Sequence, residues 1–154
     1  MYNYAMYILY ALLGAVMASV GTIFAKVGLK GVDANLLTAL RGIVMAVIVT
    51  LAALSFGKFT QAGLSSLTAK HWLFIILSGL AGALSWVFFY HALSAGPTVT
   101  VTVLDKLSLV FTALLAMIVL AEGITLQAGV GLVLVVVGTI LVAIPWNTLI
   151  SFIR

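Results

Sequence analysis

The chain has 154 residues, of which 65% are hydrophobic and only 6% are charged, with a formal net charge of +4. A soluble domain carries about 25% charged residues, so this composition excludes a water-exposed surface and predicts an integral membrane protein. The absence of cysteine excludes disulfides, thiolate nucleophiles and cysteine-based metal sites. The first apolar run is too long for a secretory signal and lacks a clear cleavage site, so we expect it to be retained.

Five apolar segments can each form a membrane-spanning helix, which needs about 20 residues. Together they use most of the chain and leave short connections. We therefore predict an all-α integral membrane protein, a bundle of five transmembrane helices in a single domain over residues 1–154. The helices are expected at about 4–25, 36–56, 72–93, 97–121 and 128–146.

The first helix carries small residues on one face, and such a face lets another backbone approach closely. We interpret it as a packing surface, made of Gly14, Ala18, Gly21, Ala25 and Gly28. Lys26 lies on a polar stripe beside this face, near the end of the helix. Its position favours a side chain that snorkels to the interface over one that lines a pore.

The second helix follows a short polar turn in which Asp33 or Asn35 could provide the N-cap. Arg41 lies about two turns inside this helix. It can reach back to the lipid headgroups, or it can face the interior of the bundle. Its position leaves both interpretations open.

The third helix follows the longest polar loop, residues 57–70, and Trp72 marks the interface where it begins. Trp86 lies well inside this span, where an indole N–H needs a partner or a cavity. A cavity wall and a packed helix contact both explain it. His91, near the far interface, is interpreted as solvated or hydrogen-bonded.

The fourth segment begins at Pro97, which suits the first turn of a helix. The alternating Thr and Val of residues 98–103 are typical of a strand. A strand in lipid would leave its backbone groups unsatisfied, so we predict a helix, with a locally unwound entry as the alternative.

Asp105 and Lys106 lie near the middle of this fourth helix, where a charge costs at least about 2.5–3.5 kcal/mol. On a regular helix the two side chains are about 100° apart, so we expect them not to face each other. Each then needs another partner. Arg41, Lys26 or a group from a second protomer could serve Asp105.

Five spans place the two termini on opposite sides of the membrane. The basic residues outside the membrane are nearly balanced, with Lys58 and Lys70 on one side and Lys26, Lys30 and Arg154 on the other. The positive-inside rule therefore gives no firm orientation. Such balance is also what a dual-topology protein would show, and an antiparallel homodimer would then form two inverted repeats around a midplane site.

The fifth helix has no charged residue and is closed by Pro145 and Trp146, so we interpret it as a packing or dimerisation surface.

Several segments of the chain share the order found in one transporter family: GTIFAKVGLKG, LLTALRG, FFYHALSAGP, LDKLSLVFTALLAMIVLAEGIT and GVGLVLVVVGTIL. On these segments, nearly the whole chain resembles one repeat of the EamA-type drug/metabolite transporter superfamily. The LDKLS segment looks most like its short, single-repeat members.

The resemblance implies a secondary transporter, often an exporter, of small polar or amphipathic metabolites. Larger relatives carry two such repeats of opposite orientation in ten helices, so here the second repeat would come from another copy or a related chain. Two copies would enclose a midplane cavity. The candidate residues for solute binding or coupling are Asp105, Lys106, Arg41, Lys26, Trp86, Tyr90, Thr102 and Ser85.

Two other classes of function compete with transport. An accessory or structural subunit would use Asp105 and Lys106 for assembly. An intramembrane enzyme is disfavoured because Ser85 and His91 lie on different faces of one helix, a poor nucleophile–base geometry. No phosphate loop, dinucleotide motif, metal cluster or basic nucleic-acid footprint is present in the sequence, and no cofactor is expected. We expect a multi-pass protein of a prokaryotic plasma membrane.

Overall fold

The computed structural model describes the backbone of residues 4–144 and the side chains of residues 6–144. These residues are helical apart from turns, and no strand occurs among them. The helices are α1 (Tyr4–Gly28), α2 (Ala34–Ser55), α3 (Gln61–Ser65), α4 (Ala69–Ala95), α5 (Thr98–Asp105), α6 (Ser108–Val119) and α7 (Leu126–Ala143).

Five segments of the described chain are long and apolar enough to cross a membrane, and they are 18 to 27 residues long. In each, no more than 6% of the most apolar window is buried within the chain. Helices that are apolar all round and yet unburied need a nonpolar solvent, which is what a bilayer provides. The prediction of an all-α protein with five transmembrane helices is confirmed.

The connections show which of the two candidates, Asp33 or Asn35, caps the second helix. Asp33 is the N-cap of α2, and its Oδ1 accepts hydrogen bonds from the backbone N–H groups of Asn35 and Leu36 at 2.9 and 3.0 Å. The loop at residues 57–70 contains the short helix α3, which is capped by Thr60. The expected ends of the fifth helix, Pro145 and Trp146, lie outside the described residues.

The chain divides into two compact units, Met1–Ser94 and Ala95–Arg154. In the first unit, the small face of α1 packs against α2. A Cβ added at Gly21 would lie 3.3 Å from Arg41 Nη2, and one at Gly28 would lie 3.1 Å from Leu37 Cδ1. Ala25, between these glycines, is buried. The interpretation of this face as a packing surface is confirmed for its second half, whereas a Cβ at Gly14 would contact nothing within 4 Å.

In the second unit, α7 packs against α5 and α6. Thr139 of α7 is buried, and its hydroxyl donates to the carbonyl of Val103 in α5 at 3.5 Å. Val101, also in α5, is buried as well. The fifth span therefore packs within its own unit, which agrees with its interpretation as a packing surface.

Candidate functional site

Arg41 lies beside two aromatic rings within the first unit. Its guanidinium carbon is 5.7 Å from the centroid of the Trp86 ring and 5.2 Å from that of the Tyr90 ring, over both of them. The two rings are four residues apart on α4, which places them on the same face of that helix. Of the two interpretations of Arg41, the structure therefore shows the inward-facing one, and Trp86 makes a packed helix contact with it.

The rings that flank Arg41 are held by packing. Tyr90 is only 2% exposed, and it meets Phe89 edge to face, with ring centroids 5.3 Å apart and an interplanar angle of 82°. Trp86 and Arg41 are half-buried. Cation–π contacts of this kind contribute about 0.5–2 kcal/mol, depending on how far they are desolvated. The guanidinium is thus fixed by faces of aromatic rings rather than by a carboxylate.

The backbone of α1 lies on a further side of Arg41, where Gly21 leaves just enough room for Nη2. Residues Gly21, Arg41, Trp86 and Tyr90 are called the Arg41 site below. They come from α1, α2 and α4, and all belong to the first unit. A glycine on one helix and an i, i+4 aromatic pair on another are what permit this arrangement.

The guanidinium N–H groups of Arg41 have no hydrogen-bond acceptor among residues 6–144. The carboxylate of Asp105 is paired with Lys106. Every buried polar side-chain atom of those residues has a hydrogen-bond partner. Since the Arg41 guanidinium has none, its nitrogens are accessible, and they can bind an acceptor that arrives from outside.

Two polar contacts join α4 to its neighbours close to the Arg41 site. Lys26 Nζ donates to the carbonyl of Leu93 in the last turn of α4, where a cation is favourable. His91 Nε2 and Asn35 Oδ1 lie 2.9 Å apart and tie α4 to the first turn of α2. Lys26 therefore ties two helices together, a role that neither snorkelling nor pore lining describes. His91 is hydrogen-bonded, as one of its two interpretations expected.

The fourth span runs over Thr98–Val119, close to the predicted 97–121, and it contains a tightened turn after Asp105 that the sequence did not predict. Here α5 ends, and α6 begins at Ser108. Across the break the backbone N–H of Lys106 donates to the carbonyl of Val103, and that of Leu107 to the carbonyl of Leu104, both at 3.0 Å. These bonds span three residues instead of four, so the chain is locally tightened. The Thr-Val stretch before the break is helical, as predicted.

Asp105 and Lys106 face each other at this break, with Lys106 Nζ 3.5 Å from Asp105 Oδ2. The expectation that they would not is wrong, because the regular helix on which it was based ends at Asp105. The long Lys106 side chain reaches back across the turn. Both side chains remain open, with 38% of Asp105 and 53% of Lys106 exposed.

Thr102 and Ser85 are the remaining candidate residues. Thr102 is half-buried on α5, one turn before Asp105, and Ser85 is exposed on α4 beside Trp86. Sequence reasoning missed the roles of Gly21 and Thr139, although Thr139 is the one hydroxyl between the ends of α7. Among the described residues, no three His, Asp or Glu side chains are grouped closely enough to hold a metal ion.

A helical chain with five apolar spans is a multi-pass membrane protein. Residues 5–144 match the EamA-like transporter family, and the chain belongs to that family. It is 32% identical over 135 residues to a protein of Sinorhizobium sp named "Uncharacterized transporter in cobO 3'region". This similarity covers 88% of the chain and 94% of the relative. No solved structure is significantly similar. Family membership supports a membrane transporter rather than an enzyme, and the bacterial relative fits a prokaryotic plasma membrane.

Proposed function

We propose that the protein is a secondary transporter, in the export direction, of small polar or amphipathic metabolites. It acts as a single transmembrane domain that dimerises around a midplane cavity. The observation that carries the proposal is the break in the fourth span at Asp105 and Lys106. In a member of a transporter family, an interrupted helix with charged groups at membrane depth supports a solute or coupling-ion site.

The depth of the break can be estimated from the helix. Asp105 is seven residues beyond Thr98, the start of the span, and at a rise of about 1.5 Å per residue it lies about 10 Å along the span. The hydrocarbon core is about 30 Å thick, so the pair lies inside it. An exposed ion pair is not stable against lipid tails. Water in a cavity or a second protein surface must therefore cover Asp105 and Lys106.

A proton-coupling role for Asp105 follows from its chemistry. Protonation of the carboxyl group removes its negative charge and with it the ion pair to Lys106. The ammonium group of Lys106 then becomes available to an anionic or zwitterionic solute. Because protonation of Asp105 promotes solute binding to Lys106, the binding of proton and solute would be linked, and this linkage would couple their movements across the membrane.

The direct test replaces Asp105 by Asn, which keeps the size of the side chain and removes its titratable group. We expect Asp105→Asn to insert normally and to lose proton-coupled solute movement in proteoliposomes. Glu122→Gln is the matched control, because it removes an exposed carboxylate after the end of α6 and should leave transport unchanged. Full activity of Asp105→Asn would exclude Asp105 from the mechanism.

The proposed dimer consists of two antiparallel copies, or of this chain and a related one. The near-balance of Lys58 and Lys70 against Lys26, Lys30 and Arg154 supports insertion in both orientations. The native chain has no cysteine, so Ser66→Cys, in the exposed loop after α3, gives a clean label. We expect about half of the copies in intact cells to react with a membrane-impermeant maleimide. Labelling from one side only would contradict the antiparallel homodimer.

An accessory membrane subunit is the second candidate. The exposed Asp105–Lys106 pair favours it too, since two open charges could fix a partner helix as well as bind a solute. Such a subunit would bind its partner and move nothing by itself. Flux by the purified protein alone separates the two candidates.

A further inference from the structure

We propose that the Arg41 site binds an oxyanion, a carboxylate or phosphate group carried by the transported solute. This inference deepens the proposed function and rests on it, because it names the class of solute. It concerns a different part of the chain from the break at Asp105, and it stands on its own contacts.

The first argument is the direction of the donors. Arg41 Cζ lies over the rings of Trp86 and Tyr90, and neither ring offers an oxygen acceptor to the guanidinium. The N–H donors of a guanidinium lie in its plane as a rigid fork, and a ligand with oxygen acceptors can bind along that edge. Carboxylates and phosphates present two oxygens that match this fork, which is why arginine is enriched wherever such groups are recognised.

The second argument is charge. Arg41 is seven residues into α2, which begins at Ala34, and this is about 10 Å from the helix end. It forms no ion pair within residues 6–144. The carboxylate of Asp33 is used at the N-cap of α2. Aromatic rings attract a cation but supply no oxygen acceptor for its N–H groups. Both the positive charge and the N–H donors of Arg41 therefore favour an anionic ligand.

The third argument is preorganisation. Tyr90 is almost fully buried, and α1 limits movement of Arg41 on one side, because a Cβ built at Gly21 would lie 3.3 Å from Nη2. The contacts of Lys26 with Leu93 and of His91 with Asn35 hold the three helices that form the site. A donor fork that is already fixed loses little entropy when it binds an oxyanion.

The experiment uses Trp86 as its own reporter. Trp72 and Trp146 are replaced by Phe, so that Trp86 is the remaining tryptophan of the purified chain in a neutral detergent. Succinate and inorganic phosphate are titrated at constant ionic strength, and tetraethylammonium is the cation control. We expect a saturable fluorescence change with at least one of the two anions and none with the cation.

Variants at Arg41 decide whether this response comes from the site. Arg41→Lys keeps the charge but not the planar fork, and we expect it to weaken binding about tenfold. Arg41→Gln should abolish binding. Circular dichroism and size-exclusion profiles show which variants remain folded, and Arg41→Lys keeps the test decisive if Arg41→Gln does not fold. Saturation that both variants leave unchanged would overturn the proposal.

Two further measurements test whether Arg41 binds a lipid headgroup or a carboxylate of the protein itself. If the response requires anionic-lipid nanodiscs and is absent with succinate and phosphate, Arg41 binds a lipid headgroup and the proposal is wrong. If succinate binds only after Asp105→Asn, a carboxylate of the protein already occupies Arg41, which also overturns it. Arg41-dependent binding without any flux would instead leave the site standing and contradict transport. Flux of solutes that lack an acidic group, independent of Arg41, would contradict this inference alone.

Discussion

Replacing Gly21 by Ala tests whether α1 positions the Arg41 guanidinium. Both Gly21 and Gly14 lie inside α1, and alanine is more favourable than glycine in a helix by about 0.8–1.0 kcal/mol. At Gly14 the added methyl group meets nothing within 4 Å. At Gly21 it would lie 3.3 Å from Arg41 Nη2, closer than the 3.5–4.0 Å of roughly optimal contacts. The guanidinium must therefore move by a few tenths of an ångström.

The expected magnitudes follow from these contacts. Gly14→Ala should raise the free energy of unfolding by up to about 1 kcal/mol. Gly21→Ala should gain the same helix term and lose about 0.5–1 kcal/mol of cation–π contact as Arg41 shifts from Trp86 and Tyr90, for a net change near zero. One charge-assisted hydrogen bond to a bound oxyanion is worth about 1.5 kcal/mol at the low end, so Gly21→Ala should weaken anion binding about tenfold.

Two assays separate these effects in one pair of proteins. Thermal unfolding in detergent measures stability, and the Trp86 fluorescence titration measures anion affinity. The reasoning is refuted if Gly21→Ala and Gly14→Ala raise stability equally and bind the anion equally well. It is also refuted if Gly14→Ala weakens binding as much as Gly21→Ala does, since no side chain of the described residues lies near that position.

The contacts that hold the three helices of the first unit give further predictions. Lys26→Met removes the donor to the Leu93 carbonyl and should lower the free energy of unfolding by about 1.5–3 kcal/mol, whereas Lys30→Met, in the exposed turn, should change it little; equal effects in thermal unfolding would contradict the interhelical role of Lys26. A double-mutant cycle of Asn35→Ala and His91→Ala should give a coupling energy of about 0.6–1.7 kcal/mol, the range found for hydrogen bonds between membrane helices. Additive single effects would mean that the two side chains do not interact.

The length of each apolar run was sufficient to predict the five membrane-spanning segments. The spans follow because each apolar run is long enough to cross a bilayer, and the Thr-Val stretch could be assigned to a helix because lipid excludes an isolated strand. The spacing of small residues on α1 correctly indicated a face that packs. These features depend on the local sequence and on the surrounding lipid, so they can be predicted from the sequence alone.

The break at Asp105 was not predictable in the same way. Neither proline nor glycine, the usual causes of a break, occurs between Thr98 and Val119. The tightened turn coincides with a contact from another helix, the Thr139 hydroxyl at the Val103 carbonyl. A contact between residues 36 positions apart leaves no local pattern in the sequence.

The environment of Arg41 was undecided for a related reason. Its distance from the helix end permits both a snorkelling and an inward-facing side chain. The choice depends on which neighbour the helix meets, here the i, i+4 pair Trp86 and Tyr90 of α4 and the glycine of α1. An aromatic pair at that spacing, in a different span from an arginine two turns inside its helix, is the signal that could have indicated the site.

Solute-induced current from the purified protein tests the central claim of transport most directly. Proteoliposomes that contain only this chain are adsorbed on a solid-supported membrane and exposed to small carboxylates, phosphates and zwitterions under a proton gradient. We predict saturable currents with a solute that carries an acidic group, and their loss in Asp105→Asn. If no solute gives a current above that of empty liposomes, although the protein is folded and inserted, the chain does not transport by itself and the accessory-subunit function stands in its place.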